Sequence, residues 1–442
     1  MTDVILSFDT EDYVNPCGAD GILRVGRILR ERGYKGCFNV VGWLAKALTA
    51  WGRQDVIEEL RYHEVETHSL KHSYHPTICE YTDIADFDEA MRRFRREEDE
   101  ALELLRKHLG VDKVVAGCPP GCSYSYVAHY GYADMGIPIY NGDCVYDVVE
   151  GRPVTCCNID CLQYRYCLDN FIDLEREDIL ALIEKMSETK HCIAYHHPQK
   201  HIVTTFCDLQ NFNKKNIDGE WILSDLLPPE KTAKFEENFR FFIDTLIADE
   251  RFHIITYGEL AEKYRSEDRV LRRRDLPAIK EALDADFFPL TMPDSFCLAD
   301  ILLACRDFLC GKEEHRCGKV YGFLDAPLAI AQPVRVTAED LRESAAMFEN
   351  GKFLPTEIAI GEKRIGPADW LRAALTVLCG ADSAVIVPDK WQIDLNEFPR
   401  LRDNTFVDTW VHDLPDAYLS DRLRLQTWTM RLPKGTKRRI FG

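Results

Sequence analysis

The sequence predicts an α/β protein whose first part is built on a parallel sheet or barrel. Residues 4–8 form an apolar run that is typical of a strand buried on both faces. Apolar residues then recur at helical spacing over residues 20–33, and Gly33 is a plausible stop. A second strand at 37–41 and a short helix at 55–62 follow. Strand and helix in alternation indicate parallel α/β architecture.

Acidic side chains come directly after the first strand. Asp9, Glu11 and Asp12 lie within four residues of one another. Carboxylates crowded at the carboxyl end of a buried strand repel one another unless a cation lies among them. The pattern therefore predicts a cation site, and an acidic surface turn is the alternative.

Two histidines follow the third strand, which we expect around Val65. His68 and His72 are four residues apart, so both rings can turn to one side of the chain, as on a helix face, and bind one divalent metal. Histidines that only pack or face solvent are the alternative. Ser, Leu and Lys lie between them, without the Glu that a zincin helix uses as general base. A third ligand and a base must come from elsewhere, and the acidic run after the first strand can supply both.

Three segments, at residues 8–12, 35–42 and 63–72, resemble the first segments of polysaccharide deacetylases of the carbohydrate esterase type, in residues, order and spacing. The resemblance covers roughly residues 1–264. It implies a distorted (β/α) barrel of about seven strands and a hydrolase that removes acetyl groups from amino sugars.

The resemblance also implies residue roles. Asp9 is the expected general base, and His68 and His72 are expected metal ligands. The third ligand is Asp12 or Glu11, because the adjacent Asp pair of the family is stretched here by two residues. Two histidines and one carboxylate suit zinc, with cobalt, nickel or iron as alternatives.

The run at 191–198 reads as a late strand that ends in two histidines, His196 and His197, followed by proline. In the family a late His, often followed by Pro, is the general acid, so we expect this role for His197. His196 is the alternative acid, and burial of one ring without any chemistry is a further alternative. Asp143, which follows another strand, is expected to orient the acid or to cap a turn after Asn-Gly.

The segment at 117–121 departs from the Arg-x-Pro-x-Gly pattern of the family. Gly117 stands at the Arg position, so that guanidinium is absent unless a residue such as Arg165 replaces it. Pro120 stands where the family uses a backbone N–H to stabilise the oxyanion, and proline has none. Gly121 or Cys122 would have to donate instead. We expect substrate contacts from Pro119, Gly121, Cys122 and Asp143.

The chain of 442 residues is long enough for two domains, and a charge run at 265–275 reads as a linker. We expect a barrel domain at 1–268 and a smaller, mainly α-helical domain at 269–442. Residues 296–311 align without gaps on 365–380, which indicates an internal duplication. Residues 350–371 distantly resemble pseudomurein-binding repeats, but we expect a structural or oligomerising role for this domain.

Composition limits the partners and the location. A net charge of −19 argues against nucleic acid and gives no reason to expect anionic polymers. The first apolar run is too short for a signal peptide, and no window approaches the ~20 apolar residues of a membrane span. The odd number of 17 cysteines, without a small-scaffold framework, suggests reduced thiols. We therefore expect a cytoplasmic protein that does not bind membranes.

These patterns together predict a metal-dependent hydrolase that removes an N-acetyl group from an amino sugar or oligosaccharide. The altered segment at 117–121 leaves open another amide hydrolase of the same superfamily, such as an allantoinase-like enzyme. A non-catalytic carbohydrate-binding or assembly protein is the remaining alternative.

Overall fold

The computed structural model describes residues 1–120, 125–142, 153–162, 166–265, 268–292, 294–348, 351–388 and 418–435. The chain divides into two compact units. The first unit comprises the described residues of Met1–Arg152, Ile159–Arg265 and Arg402–Ser420. The second comprises those of Pro153–Asn158, Ser266–Leu401 and Asp421–Gly442. The domain boundary expected at 268 and 269 remains a prediction.

The described strands are β1 (Thr2–Thr10), β2 (Cys37–Val40), β3 (Glu64–Thr67), β4 (Ala116–Gly117), β5 (Ile139–Asn141), β6 (Val154–Cys156), β7 (Ile159–Leu162), β8 (Tyr166–Cys167), β9 (His191–His196), β10 (Phe252–Ile255), β11 (Val270–Arg272), β12 (Glu314–Arg316), β13 (Val334–Thr337), β14 (Ile358–Ile360), β15 (Lys363–Ile365) and β16 (Ser383–Ile386).

The described α-helices are α1 (Ala19–Arg30), α2 (Gly42–Ala50), α3 (Gln54–Tyr62), α4 (Ile78–Thr82), α5 (Phe87–Leu109), α6 (Tyr126–Asp134), α7 (Arg176–Met186), α8 (Cys207–Asn211), α9 (Pro229–Ala248), α10 (Tyr257–Lys263), α11 (Leu276–Ala285), α12 (Leu298–Leu309), α13 (Ala338–Ala346), α14 (Pro367–Leu378) and α15 (Tyr418–Arg424).

Nine described strands of the first unit form one parallel sheet in the order β7-β5-β4-β3-β2-β1-β9-β8, with β10 also paired to β1. The α/β class is confirmed. The expected distorted (β/α) barrel of about seven strands is corrected to an open half-barrel of nine strands. Closure requires hydrogen bonds between the two edge strands, and the described residues show none between β7 and β8.

Strand β1 is the centre of this sheet. Strand β9 pairs along one edge, while β10 pairs with its first half and β2 with its second half along the other. Val4, Leu6 and Phe8 enter the core cluster that includes α1, α3 and α9, and Ile5 enters a second cluster on the opposite face. The apolar run therefore forms a strand buried on both faces, as expected.

The second unit contains the duplicated segment. Helices α12 and α14 begin and end at positions 69 residues apart, as the gapless sequence alignment requires. A short antiparallel strand pair accompanies each half, with β11 paired to β12 in the first half and β13 paired to β16 in the second. Strands β14 and β15 form a further antiparallel pair in the second half. These short strands were not predicted, because runs of three or four residues give too weak a strand pattern to detect. The mainly helical character of a separate domain remains a prediction.

Two observations bear on environment. Among the described helices, none has the length and apolar character needed to span a bilayer. None of the cysteines in the described ranges forms a disulfide.

Candidate active site

The carboxyl end of β1 brings Asp9 into the interior of the first unit. Its partner in the β1–β2 register is Asn39, whose Nδ2 donates to Asp9 Oδ1 at 2.6 Å and to Ser7 Oγ at 2.9 Å. Parallel strands end at the same edge of a sheet, so β2, β3 and β9 present their final residues beside Asp9. Candidate catalytic groups from distant parts of the chain thus meet here.

The segment carrying His68 and His72 is a turn that follows β3, and its backbone is not helical. Ser69 and His72 have φ values of 68° and 54°, in the left-handed region that a helix excludes. The His72 N–H donates to Ser69 Oγ at 3.1 Å, which fixes the turn. The turn nevertheless brings the two imidazole rings to a centroid distance of 5.0 Å.

Glu11 completes a buried group of three potential ligands. Its Oε2 lies 3.5 Å from His68 Nε2 and 2.9 Å from His72 Nε2. One ligand atom from each of the three residues lies within 4.8 Å of the others. Gln199 donates to Glu11 Oε1 at 2.8 Å and so orients the carboxylate. One carboxylate and two imidazoles form a common donor set for a divalent metal with an open position.

The far side of each imidazole supports this assignment. His68 Nδ1 bonds the carbonyl oxygen of Cys118, and His72 Nδ1 lies 2.9 Å from Asp208 Oδ2 and 2.8 Å from Ser73 Oγ. With a proton on Nδ1, each ring can direct its Nε2 lone pair at a metal ion held beside Glu11. Burial disfavours the charged ring, yet Asp208 and Glu11 hold the pKa of His72 well above its usual range. The negative charges of Glu11 and Asp208 at this buried site would also stabilise a bound cation.

Asp12, the alternative third ligand, faces the next turn. Its Oδ1 accepts from the backbone N–H groups of Val14 (3.1 Å) and Asn15 (2.8 Å), and its Oδ2 accepts from Asn15 Nδ2 (2.8 Å). Burial raises the pKa of Asp12 to about 6, against the lowering effect of these hydrogen bonds. Of the two alternatives, the structure brings Glu11 to the histidines.

His197 lies across from Asp9, with 3.6 Å between His197 Nε2 and Asp9 Oδ2. Asp169 accepts from His197 Nδ1 at 2.8 Å and from the His197 backbone N–H at 3.0 Å. Burial opposes the charged ring, but Asp169, followed by Glu11 and Asp9, raises the pKa of His197 to about 10. His197 is therefore protonated at neutral pH, as a general acid must be.

His196, the alternative acid, is fully buried behind Asp169. Its Nδ1 bonds Asp169 Oδ1 at 2.9 Å and its Nε2 bonds His201 Nδ1 at 3.0 Å. Both nitrogens are thus engaged away from Asp9, so the structure brings His197 and not His196 to the base.

The segment at 117–120 explains one departure from the family pattern. A Cβ added at Gly117 would lie 2.6 Å from the ring of Tyr132, so no arginine fits at this position. Pro119 follows Cys118, whose carbonyl oxygen bonds His68. Three expected substrate contacts, Gly121, Cys122 and Asp143, and the substitute guanidinium of Arg165 lie outside the described residues.

Four side chains of the site were not identified from the sequence: Asn39, Asp169, Gln199 and Asp208. Asn39 carries a detectable signal, because it is a polar residue inside a short buried strand. The other three lie on short 3₁₀ or α-helical segments at Asp169–Ile172, Pro198–His201 and Cys207–Asn211. No spacing rule links such segments to residues far away in the chain.

Comparison with known proteins concerns the fold. No protein-family model matches the sequence, and no curated protein sequence matches it. Among solved structures, a protein from Mycobacterium smegmatis described as a polysaccharide deacetylase is 17% identical, with 60% of this chain and 90% of that chain covered and a TM-score of 0.39. The chain resembles polysaccharide deacetylases.

Two further similarities show how broad the likeness is. A 4-alpha-glucanotransferase from Thermococcus litoralis is 13% identical, with 60% of this chain and 40% of that chain covered and a TM-score of 0.41. A CE4 family pseudoenzyme from Bacillus anthracis is also 13% identical, with 57% and 69% covered and a TM-score of 0.32. At these values the likeness assigns no activity.

Proposed function

We propose that the protein is a metal-dependent hydrolase that removes an N-acetyl group from an amino sugar or oligosaccharide. One observation carries the proposal. The Asp9 carboxyl group faces a protonated imidazole, His197, beside a buried group of one carboxylate and two imidazoles. Amide hydrolysis needs a base for the attacking water and an acid for the leaving amine, and this arrangement offers both.

Glu11, His68 and His72 are the residues that would hold the metal, with zinc as first choice and cobalt, nickel or iron as alternatives. When bound, such an ion supplies Lewis acidity, which increases the acidity of water and the electrophilicity of a carbonyl group. The Glu11 carboxylate and the Nε2 atoms of His68 and His72 offer three ligand atoms, and three ligand atoms suit one divalent ion better than one shared proton.

The protein side chains carry the proton transfers. Asp9, oriented by Asn39, takes a proton from the attacking water, whose oxygen bonds to the acetamido carbon. The C–N bond then breaks, and His197 Nε2 gives its proton to the leaving nitrogen. Asp169 holds the His197 ring through Nδ1, so that Nε2 faces the reacting atoms.

The substrate class comes from the family resemblance of the motifs at residues 8–12 and 63–72, and from net charge. A charge of −19 argues for a neutral or cationic sugar over an anionic polymer. We propose a soluble, cytoplasmic enzyme acting on a small N-acetylated sugar. The lack of room for an arginine at Gly117 keeps a ureide-type substrate as a second candidate.

The test combines metal content with product release. Purified full-length protein is assayed for bound metal by mass spectrometry and for acetate release from N-acetylglucosamine and chitooligosaccharides, with allantoin as the ureide probe. We expect one equivalent of metal and acetate release. Metal with ureide hydrolysis instead would support the second candidate, and absence of metal would overturn both hydrolases in favour of a binding protein.

A matched pair of variants tests the ligand assignment. Glu11→Gln removes a charge from the proposed metal site and is expected to lose the bound metal. Asp12→Asn makes the same chemical change one residue later and is expected to retain it, because Asp12 accepts hydrogen bonds within its own turn. Loss of metal in both variants, or only in Asp12→Asn, would contradict the assignment.

A further inference from the structure

Behind Asp169 lies a pair of buried imidazoles, His196 and His201. His196 Nδ1 is 2.9 Å from Asp169 Oδ1, and His196 Nε2 is 3.0 Å from His201 Nδ1. His201 Nε2 is buried and has no hydrogen-bond partner among the described residues. The ring of Phe235, from α9, stacks on both imidazoles at centroid distances of 4.4 Å and 4.2 Å. The pair is held in place and closed off from solvent.

Counting protons along this chain of hydrogen bonds leaves one favourable arrangement. Asp169 accepts three bonds, so His196 Nδ1 carries a proton. If His196 Nε2 also carried one, a buried imidazolium would donate to His201, whose remaining N–H would have no acceptor. If His196 Nε2 is a lone pair, His201 Nδ1–H donates to it, and only a lone pair stays unpaired. Buried charges and orphaned N–H groups are both costly, which favours the second arrangement.

The surrounding charges agree with a neutral pair. Burial lowers the pKa of His196 and that of His201, and the cations facing them oppose a further positive charge: His197 and Lys200 for His196, Arg24 for His201. The Asp169 carboxylate faces both rings and favours the charged form of each. It is shared with His197, on which Glu11 and Asp9 also act. The uncharged neighbours of His197 are the Tyr195 and Phe206 rings, at 5.9 Å and 5.1 Å.

We propose that His196 and His201 are positioning residues, a neutral imidazole relay that fixes the Asp169 carboxylate so that the one mobile proton of this group resides on His197. The inference rests on the proposed function, because it gives His197 the role of general acid. It adds two residues that do not touch substrate and act through Asp169.

The relay has two effects on His197. With Oδ1 held by His196, Oδ2 of Asp169 stays aligned on His197 Nδ1, and the ring keeps Nε2 directed at the Asp9 side. The hydrogen bond from His196 also stabilises the negative charge on Asp169, so Asp169 attracts the proton of His197 less strongly. His197 therefore releases its proton more readily than it would if Asp169 had no hydrogen bond from His196. Loss of that donor should lower kcat and move the titration of His197 to higher pH.

Two substitutions at one position separate these effects from simple packing. His196→Asn keeps an amide nitrogen at the place of Nδ1 and can still donate to Asp169, whereas His196→Leu fills similar space without a donor. We expect His196→Leu to lose about 10–100-fold in kcat with KM little changed, as for other supporting hydrogen-bond partners. His196→Asn should recover most of that loss and titrate His197 near the wild-type pH.

Histidine side-chain NMR of the full-length, metal-loaded protein reports the relay without any assay. In the wild type we expect His196 and His201 to be neutral at pH 7, each with its proton on Nδ1. An imidazolium at His196, or equal kcat and equal His197 titration in the Leu and Asn variants, would overturn the relay. If the wild type turns over no N-acetylated sugar, the proposed function fails, while the tautomers still decide the relay on their own.

Discussion

Replacing Asp169 with asparagine isolates the electrostatic control of the general acid. Asp169 is the largest favourable influence on His197, whose pKa rises from 6.5 to about 10. That rise corresponds to about 5 kcal/mol of preference for the protonated ring, shared among Asp169, Glu11 and Asp9. Without the Asp169 charge, burial, the largest single influence, is opposed only by the two smaller contributions, so the pKa of His197 should fall back towards the ordinary value of 6.5.

The expected readout is the basic limb of the pH profile. An acid must be protonated to act, so kcat/KM falls as pH rises through the pKa of His197 in the free enzyme. In Asp169→Asn a His197 ring that titrates near its ordinary pKa of 6.5 is mostly protonated at pH 6 and mostly unprotonated at pH 8, so activity should fall by roughly tenfold or more between these two pH values. The wild type should show no such decline over this interval.

Asp173→Asn is the matched control, because Asp173 is an exposed carboxylate four residues away. Its pH profile should follow the wild type. A basic limb in Asp169→Asn that coincides with the wild-type limb would refute the electrostatic role of Asp169, even if the rate falls at every pH. A uniform fall would indicate a loss of ring orientation alone.

Three further outcomes are expected. Gly117→Ala places a methyl group 2.6 Å from the Tyr132 ring, so the free energy of unfolding measured in urea titrations should fall by about 1–3 kcal/mol. Unchanged stability would show that the Tyr132 ring can move to make room for the methyl group. Asp208→Asn weakens the partner of His72 Nδ1, so chelator competition should show about tenfold weaker metal binding, and equal affinity would contradict that role. Burial raises the pKa of Glu98 from 4.5 to about 7, so between these pH values the folded state binds more protons than the unfolded state. The free energy of unfolding should therefore fall as pH rises from 4.5 to 7, by up to about 3 kcal/mol. Glu98→Gln should lose this fall when unfolding is measured at pH 5 and pH 8, and an identical pH dependence in both proteins would contradict it.

The elements with strong periodicity were predictable from the sequence. The apolar run at β1 and the helical spacing of α1 gave clear patterns, and Gly33 adopts the left-handed φ of 77° expected of a residue that ends a helix. The long charged helix α5 likewise buries one stripe of apolar residues. These features depend on neighbours within a few positions, which the sequence displays directly.

The failures have a different physical origin. The spacing of His68 and His72 predicts only that the two rings can lie on one side of the chain, and the conformation that achieves this, a turn through two left-handed residues, was not predicted. The choice of Glu11 over Asp12 depends on Asn15, which claims both Asp12 oxygens. Asp169 meets His197 across 28 positions, and Asp208 meets His72 across 136. Long-range pairs of this kind leave no local pattern.

The position of β1 has a consequence for the nascent chain. The three residues of the proposed metal site lie within the first 72 positions and need β1, β2 and β3. The proposed acid arrives with β9, and the second edge of β1 is completed only by β10 at 252–255. During synthesis β1 therefore waits with one edge unpaired until residues 191–196 are made, and with the first half of its other edge unpaired until residues 252–255 are made, which exposes it to pairing with other chains. Metal capture by the early segment would cross-link β1 to the β3 loop during that interval, so the supply of metal ion should affect the yield of folded protein as well as its activity.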